Sequence, residues 1–366
     1  MFRAERTDIE RILRDFGIGA ALADVAELER YPYERKDPAS REVRLIVRAR
    51  LETGASLVIR FKNEADVTME TIESQCRFAS ELRQSGVVTP LQYQSEGAFA
   101  REYTIGGYDV IVTVERFVEG QIKVVDAGIA EKTGALLART HQIAETRDLH
   151  VSNPVLFDPF AENDLFDFRA FHSLGADLSG EDRALFDRIV ERYEAYMEFL
   201  RPLRGQARYA VQGDISDCNL YQTPSGEIGM FDFNRCGDNV LFCDAVMQGL
   251  FEARLMDYPE DGGDDREEAI LAAFWKGYRA VRAISEEQRR WYPFLHAVID
   301  AFWSMDVKWR EDSLLNAARR GDREKTREWL ETIWERIARP RLDWSALFCP
   351  PSAGDEKTKE KGSFPA

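Results

Sequence analysis

The chain has 366 residues, 44% of them hydrophobic and 31% charged, with a net charge of −16, so it is long enough for two separate cores of ordinary size. The acidic balance argues against nucleic acid or an anionic membrane as partner; no apolar run reaches the roughly 18 residues of a membrane helix, and the charged N-terminal stretch lacks the apolar core of a secretory signal. The five cysteines (Cys76, Cys218, Cys236, Cys243, Cys349) are odd in number and form no Cys-x-x-Cys pair, which reads as reduced thiols in a cytoplasmic protein.

Residues 6–16 carry Ile9, Ile12, Leu13 and Phe16 at helical spacing, and Gly17 and Gly19 end the run. Residues 20–31 fit neither period. Residues 41–49 alternate, with Val43, Leu45, Val47 and Ala49 on one face; Glu52-Thr53-Gly54 makes a turn and residues 56–61 supply a second strand. An antiparallel sheet therefore opens the chain, with no G-x-G-x-x-G between its strands. Residues 67–84 read as a helix through Ile72, Cys76, Ala79 and Leu82. Strands are expected at 98–104 and 108–117, around Gly106-Gly107. A helix is expected at 126–144, where His141 reads as a packing or capping residue. Residues 154–175 are acidic and aromatic, with Asp158, Glu162, Asp164 and Asp167 among phenylalanines; such a wall suits a cationic ligand, and equally a surface loop pinned by its rings. A long helix at 181–203 follows.

Residues 211–245 carry the chemistry. Gln212-Gly213-Asp214 follows an apolar approach, and Asn219 comes soon after. Two short apolar runs flank Pro224-Ser225-Gly226 and read as a β-hairpin ending at Asp232. Its arms would set Asn219 and Asp232 side by side, with Asp214 just before the first arm. Mg²⁺ prefers oxygen ligands, usually one or two carboxylates plus substrate phosphates. Asn219 and Asp232 could hold it, leaving Asp214 to accept a proton from an attacking hydroxyl. That is the layout of phosphoryl transfer in kinase-like enzymes. Asp244 reads as a tie for a helix start or for the catalytic loop from below, and Asp217 as a surface residue. Helices are expected at 246–255, 266–283, 285–304, 306–319 and 322–338, with an acidic loop at 257–265 and most of Trp275, Tyr278, Trp291, Phe302, Trp303, Trp309, Trp329 and Trp334 in the core. The tail from Ser352 has few apolar residues and is expected to be disordered.

The loop 212–219, the strand end Phe231-Asp232-Phe233 and the further Asp244 together resemble the aminoglycoside phosphotransferase / choline kinase family, which has a His-Gly-Asp-x-x-x-x-Asn loop, a strand ending in Asp-Phe or Asp-Trp, and a later Asp. Gln212 departs from the pattern by replacing the His, which braces the loop in that family; an amide can also donate and accept. The resemblance implies an α+β, two-lobed, protein-kinase-like fold. Residues 1–118 would form a nucleotide-binding lobe of antiparallel sheet plus helix, 119–350 a larger and mainly helical catalytic and acceptor-binding lobe, and 351–366 a disordered tail. It also implies ATP and Mg as cofactors. Arg60 stands where the family has a phosphate-binding cation, usually Lys, with Lys62 on the same strand face as its rival. Glu73, or else Glu70, would hold that cation. Glu115, Phe117 and Val118 would lie in the linker whose backbone meets the adenine. The expected reaction moves the γ-phosphate to a hydroxyl of a small molecule, for which an acidic protein suits a cationic acceptor. The rival readings are a Ser/Thr protein kinase of the same fold and a non-catalytic nucleotide-binding pseudokinase. The sequence leaves the oligomeric state open.

Overall fold

The computed structural model describes residues 1–37, 39–161, 163, 165–166, 168–215, 219–254 and 266–340. The chain opens with α1 (Arg6–Asp15), started by a reciprocal capping box between Glu5 and Asp8 and buried along Ile9, Ile12 and Leu13. Gly17 ends it at φ +72, a backbone conformation that glycine adopts without penalty.

The segment left open at 20–31 is β1 (Leu22–Arg30). It is an edge strand, exposed along most of its length and lined with acidic side chains. Its sequence therefore shows no apolar alternation, and its charges protect an open edge. After the short helix α2 (Tyr33–Lys36) come β2 (Val43–Leu51), β3 (Ser56–Asn63), α3 (Met69–Gln84), β4 (Ala100–Ile105) and β5 (Tyr108–Arg116). The strands form one antiparallel sheet in the order β1-β2-β3-β5-β4. One face carries Val43, Leu45 and Val47 of β2, Leu57, Ile59 and Phe61 of β3, and Val110, Val112 and Val114 of β5, packed with α1. Each such side chain, fully buried, contributes about 2 kcal/mol. Alternation sends Val58, Arg60 and Lys62 to the other face.

The rest is mainly helical. It comprises α4 (Ala127–Thr146), α5 (Phe168–Ser173), α6 (Gly180–Arg204), then β6 (Arg208–Val211), β7 (Leu220–Gln222), β8 (Ile228–Met230) and β9 (Gly237–Val240), and finally α7 (Leu241–Arg254), α8 (Arg266–Val281), α9 (Glu286–Ala301), α10 (Leu314–Arg319) and α11 (Arg323–Ala338). A second core fills this region. Helices α4 and α8 cross at backbone distance. A Cβ on Gly134 would lie 2.0 Å from the Phe274 carbonyl, and one on Gly277 would lie 1.8 Å from that of Glu131. Among the described residues no helix is long and apolar enough to cross a membrane.

The α+β class is as expected, with local corrections. The β6–β9 pairing was not anticipated, because each arm has only four residues. Helix α7 starts at Leu241 rather than 246. The helix expected at 306–319 is broken into a π turn, Met305–Trp309, and α10, and Trp309 is exposed rather than core. The acidic loop at 257–265, Asp217 and the tail lie outside the described residues.

Candidate active site

β6 feeds Gln212, Gly213 and Asp214 into a loop, and the β7–β8 hairpin returns to Asp232. Gly213 has φ +78, and a Cβ there would sit 2.9 Å from the Arg235 carbonyl. Only glycine fits that position. The Asn219 amide nitrogen donates to the Asp214 carbonyl at 2.7 Å and to Asp214 Oδ2 at 3.3 Å. The Phe231 N–H donates to the Asn219 carbonyl at 3.0 Å, so the hairpin sets Asp232 beside Asn219.

Gln212, fully buried, joins the two acidic positions. Its Oε1 accepts from the Asp214 N–H at 2.8 Å, and its Nε2 donates to the Asp232 carbonyl at 2.8 Å. Asp232 itself has φ +57, a left-handed conformation costing about 1–3 kcal/mol in a non-glycine residue; the bond from Gln212 helps to hold it. Beneath the loop the Ile215 N–H donates to Gln248 Oε1 at 2.8 Å, and Gln248 Nε2 reaches Asp244 Oδ1 at 3.3 Å. Asp244 Oδ2 is 2.9 Å from His141 Nε2, whose Nδ1 is 2.9 Å from the Tyr278 hydroxyl. A carboxylate accepts, so Nε2 carries the proton and Nδ1 accepts from Tyr278. His141 and Asp244 are thus buried structural groups.

From the sheet, Arg60 and Lys62 face this loop. Arg60 Nη2 donates to Glu115 Oε1 at 2.7 Å, and Nη1 lies 3.7 Å from Asp232 Oδ2. Lys62 Nζ donates to Asn234 Oδ1. Gln75 on α3 donates to the carbonyls of Asn234 at 2.9 Å and Cys236 at 3.3 Å. Burial pushes the Lys62 ammonium down to about 8, with Arg60 adding to the effect. Burial would raise the Asp232 carboxyl, but Arg60 and Lys62 outweigh it and hold it below the ordinary carboxylate range. A cavity of about 30 Å³ lies among Arg60, Lys62, Cys76, Gln92, Glu115 and Asn234.

Residues 39–292 match the model of the phosphotransferase enzyme family. The chain belongs to that family. No curated protein sequence matches it. Among solved structures it resembles an amicoumacin kinase in complex with AMP-PNP and Ca²⁺ (15% identity, 91% of this chain and 96% of that one covered, TM-score 0.55). It also resembles a microcompartment-associated aminopropanol kinase (16% identity, 94% and 99% covered, TM-score 0.53). A third likeness is to an aminoglycoside phosphotransferase from Alicyclobacillus acidocaldarius (13% identity, 89% and 92% covered, TM-score 0.53). At these identities the likeness shows a shared kinase-like fold. Family membership makes the chain a phosphotransferase.

Two residues of the phosphotransferase stand elsewhere than their sequence positions imply. Glu73 does not hold Arg60: its Oε2 accepts from the N–H groups of Phe99 and Ala100 at 2.7 and 2.9 Å, anchoring the start of β4. Glu115 is not a linker residue; it ends β5 with its side chain buried in the cleft, on Arg60. Strand alternation from Thr113 could have shown this, because both share the face opposite Val112 and Val114. Phe117 donates its N–H to the Ser56 carbonyl at 3.0 Å and its ring lies under the Arg48 guanidinium, so that N–H is spent. Among the described residues no hydrogen bond to the Val118 backbone is seen. Just beyond it the chain docks on β7, with Gln222 N–H on the Gly120 carbonyl at 2.8 Å and Ile122 N–H on that of Leu220 at 2.9 Å.

The donor set at Asn219 and Asp232 fits Mg²⁺. Asn219 spends its amide nitrogen on Asp214, which leaves the amide oxygen as the group a hard cation takes. Among the described residues no group of three or more His, Cys, Asp or Glu could hold a metal, so a cation would depend on this pair and on substrate oxygens. Gln75, Gln92 and Gln248 were not singled out from sequence, since a lone glutamine in a helix or loop carries no pattern.

In the acidic aromatic segment Phe160, Phe166 and Phe168 present one side to a cavity of about 470 Å³ and the other to the core. Asp158 is buried and paired with Arg208 at 2.7 Å. Phe166, Phe168, Phe171 and Tyr193 cluster around Phe302 as packing. Glu162, Asp164 and Asp167 lie outside the described residues.

Proposed function

We propose that this phosphotransferase moves the γ-phosphoryl group of ATP to a hydroxyl of a small molecule. The observation that carries the reading is the direct linkage of Asp214, Asn219 and Asp232 through Gln212 and the Asn219 amide, with Arg60 beside Asp232. Asp214 orients the acceptor hydroxyl and takes its proton. Arg60 binds phosphate oxygens through its forked donors, and Lys62 adds a second positive charge on the same strand face. Asn219 and Asp232 would hold Mg²⁺, which when bound neutralises the charge on the phosphate oxygens. The backbone of Val118, which makes no hydrogen bond among the described residues, offers a donor and an acceptor to the nucleotide base. Residues 1–118 serve as the nucleotide lobe, and 119–350 as the catalytic and acceptor lobe. The reaction rests on positioning and charge neutralisation.

The relatives named for amicoumacin, aminopropanol and aminoglycosides support a small acceptor, and the net charge of −16 suits a cationic one. The test combines two readouts on wild type and Asp214→Asn. The first is the thermal midpoint with ATP, with and without Mg²⁺; the second is ADP release over amino alcohols and amino sugars. Nucleotide near 100 times its Kd adds about 2.7 kcal/mol of stability. The variant should keep the Mg²⁺-dependent shift and lose turnover by roughly 10²–10⁴-fold. Wild-type turnover in the variant would remove Asp214 from its role, and a wild type unmoved by any nucleotide would refute the kinase reading.

A further inference from the structure

Arg60 stands between two carboxylates that hold it unequally. Glu115 Oε1 accepts from Nη2 at 2.7 Å, a charge-assisted hydrogen bond; Asp232 Oδ2 is 3.7 Å from Nη1, an attraction without a hydrogen bond. The other Glu115 oxygen accepts from Gln92 Nε2 at 2.7 Å. Glu115 is 8% exposed and pairs across the sheet with Val58, one step along the same face from Arg60. The α3 side offers no substitute. Ile72, Gln75, Cys76 and Ala79 line the cavity there, Gln75 is spent on the Asn234 and Cys236 carbonyls, and Glu73 on the start of β4.

We propose that Glu115, braced by Gln92, is a positioning residue that holds the Arg60 guanidinium off Asp232 and so keeps the Asp232 carboxylate free for a divalent cation. The inference rests on the reading of Asp232 as a metal-binding group. Without the Glu115 charge, Asp232 is the remaining carboxylate paired with Arg60. The guanidinium closes on it, and a divalent cation must then displace a bound side chain. The cation of β3 is thus steered from within the sheet, not from the helix.

The test is a Mg²⁺ titration at saturating ADP, followed by the thermal midpoint so that no turnover is needed. It uses wild type, Glu115→Gln, Glu115→Gln/Arg60→Gln, Glu73→Gln and Gln92→Ala. Glu115→Gln should raise the Mg²⁺ concentration for half the ADP-dependent shift at least tenfold. With ADP raised to resaturate it, since Arg60 also meets phosphate, the double variant should need at least threefold less Mg²⁺ than Glu115→Gln, because the competing cation is gone. Glu73→Gln should lower the midpoint yet leave the Mg²⁺ requirement within twofold, which a general packing defect would not do. Gln92→Ala should shift the requirement at least threefold in the same direction, and it carries the test should Glu115→Gln not fold. An unchanged Mg²⁺ requirement in Glu115→Gln, or in Gln92→Ala where that variant stands in, overturns the inference and leaves the kinase reading intact, as does a double variant no better than the single one. A wild type without any Mg²⁺-dependent shift removes the metal reading itself, and this inference with it.

Discussion

Glu252 on α7 is fully buried, and among the described residues neither of its carboxylate oxygens has a hydrogen-bond partner. Burial raises its carboxyl from 4.5 to about 7; Thr133 pulls slightly the other way, but its hydroxyl is already committed to the Ile129 carbonyl at 3.0 Å. A carboxyl whose folded value lies above its unfolded one contributes stability that is fully present below pH 4.5 and is lost as pH rises through about 7. The loss runs at about 1.4 kcal/mol per pH unit across that window, or about 3 kcal/mol in all. Glu252→Gln keeps the shape and cannot ionise. Thermal midpoints of wild type and variant should therefore nearly coincide at pH 4.5 to 5 and separate as pH rises. By pH 8 the variant should melt higher by roughly 6–12 °C, at about 2–4 °C per kcal/mol. Every other titrating group is common to both proteins and cancels in the difference. Parallel midpoint-against-pH curves from pH 5 to 8 would refute the reasoning, because they would mean that the carboxylate ionises inside the fold at no cost.

Two further expectations follow from contacts already described. Gln212→Ala orphans the buried Asp214 N–H and removes a donor from the Asp232 carbonyl, costing about 2–4 kcal/mol, and should cut kcat more than tenfold by loosening both carboxylates. Gln212→His should recover part of both losses, and an alanine variant that melts and turns over like wild type would show that the loop holds itself. Gly277→Ala drives a methyl group to within 1.8 Å of the Glu131 carbonyl. It should cost about 1–3 kcal/mol by forcing α4 and α8 apart, and a midpoint within one degree of wild type would show that this crossing yields freely.

The fold was legible wherever one face of an element is buried. Alternation marked β2, the turns at Glu52-Thr53-Gly54 and Gly106-Gly107 marked β3 and β5, and the 3.6-residue period marked α1, α3 and α4. β1 was not legible, since an edge strand with acidic flanks buries almost nothing. β6 and β9 are too short to show a period. In the site, Asp214, Asn219 and Asp232 could be read because a loop and a tight hairpin fix their separation along the chain. The partner of Arg60 could not, because Glu115 meets it across paired strands of the sheet, a distance set by register that no short sequence window contains. The three glutamines that tie these segments were silent for a similar reason: each acts through long-range bonds to groups on a distant segment.

The grip of Gln75 on the Asn234 and Cys236 carbonyls, with Lys62 on Asn234, ties the Asp232 turn to α3 and the sheet. Pulling the two apart at that point would strip two carbonyls of their donor, at about 1–3 kcal/mol for each buried group left unpaired. Residues 118–122, bonded to β7, tie the same two regions a second time.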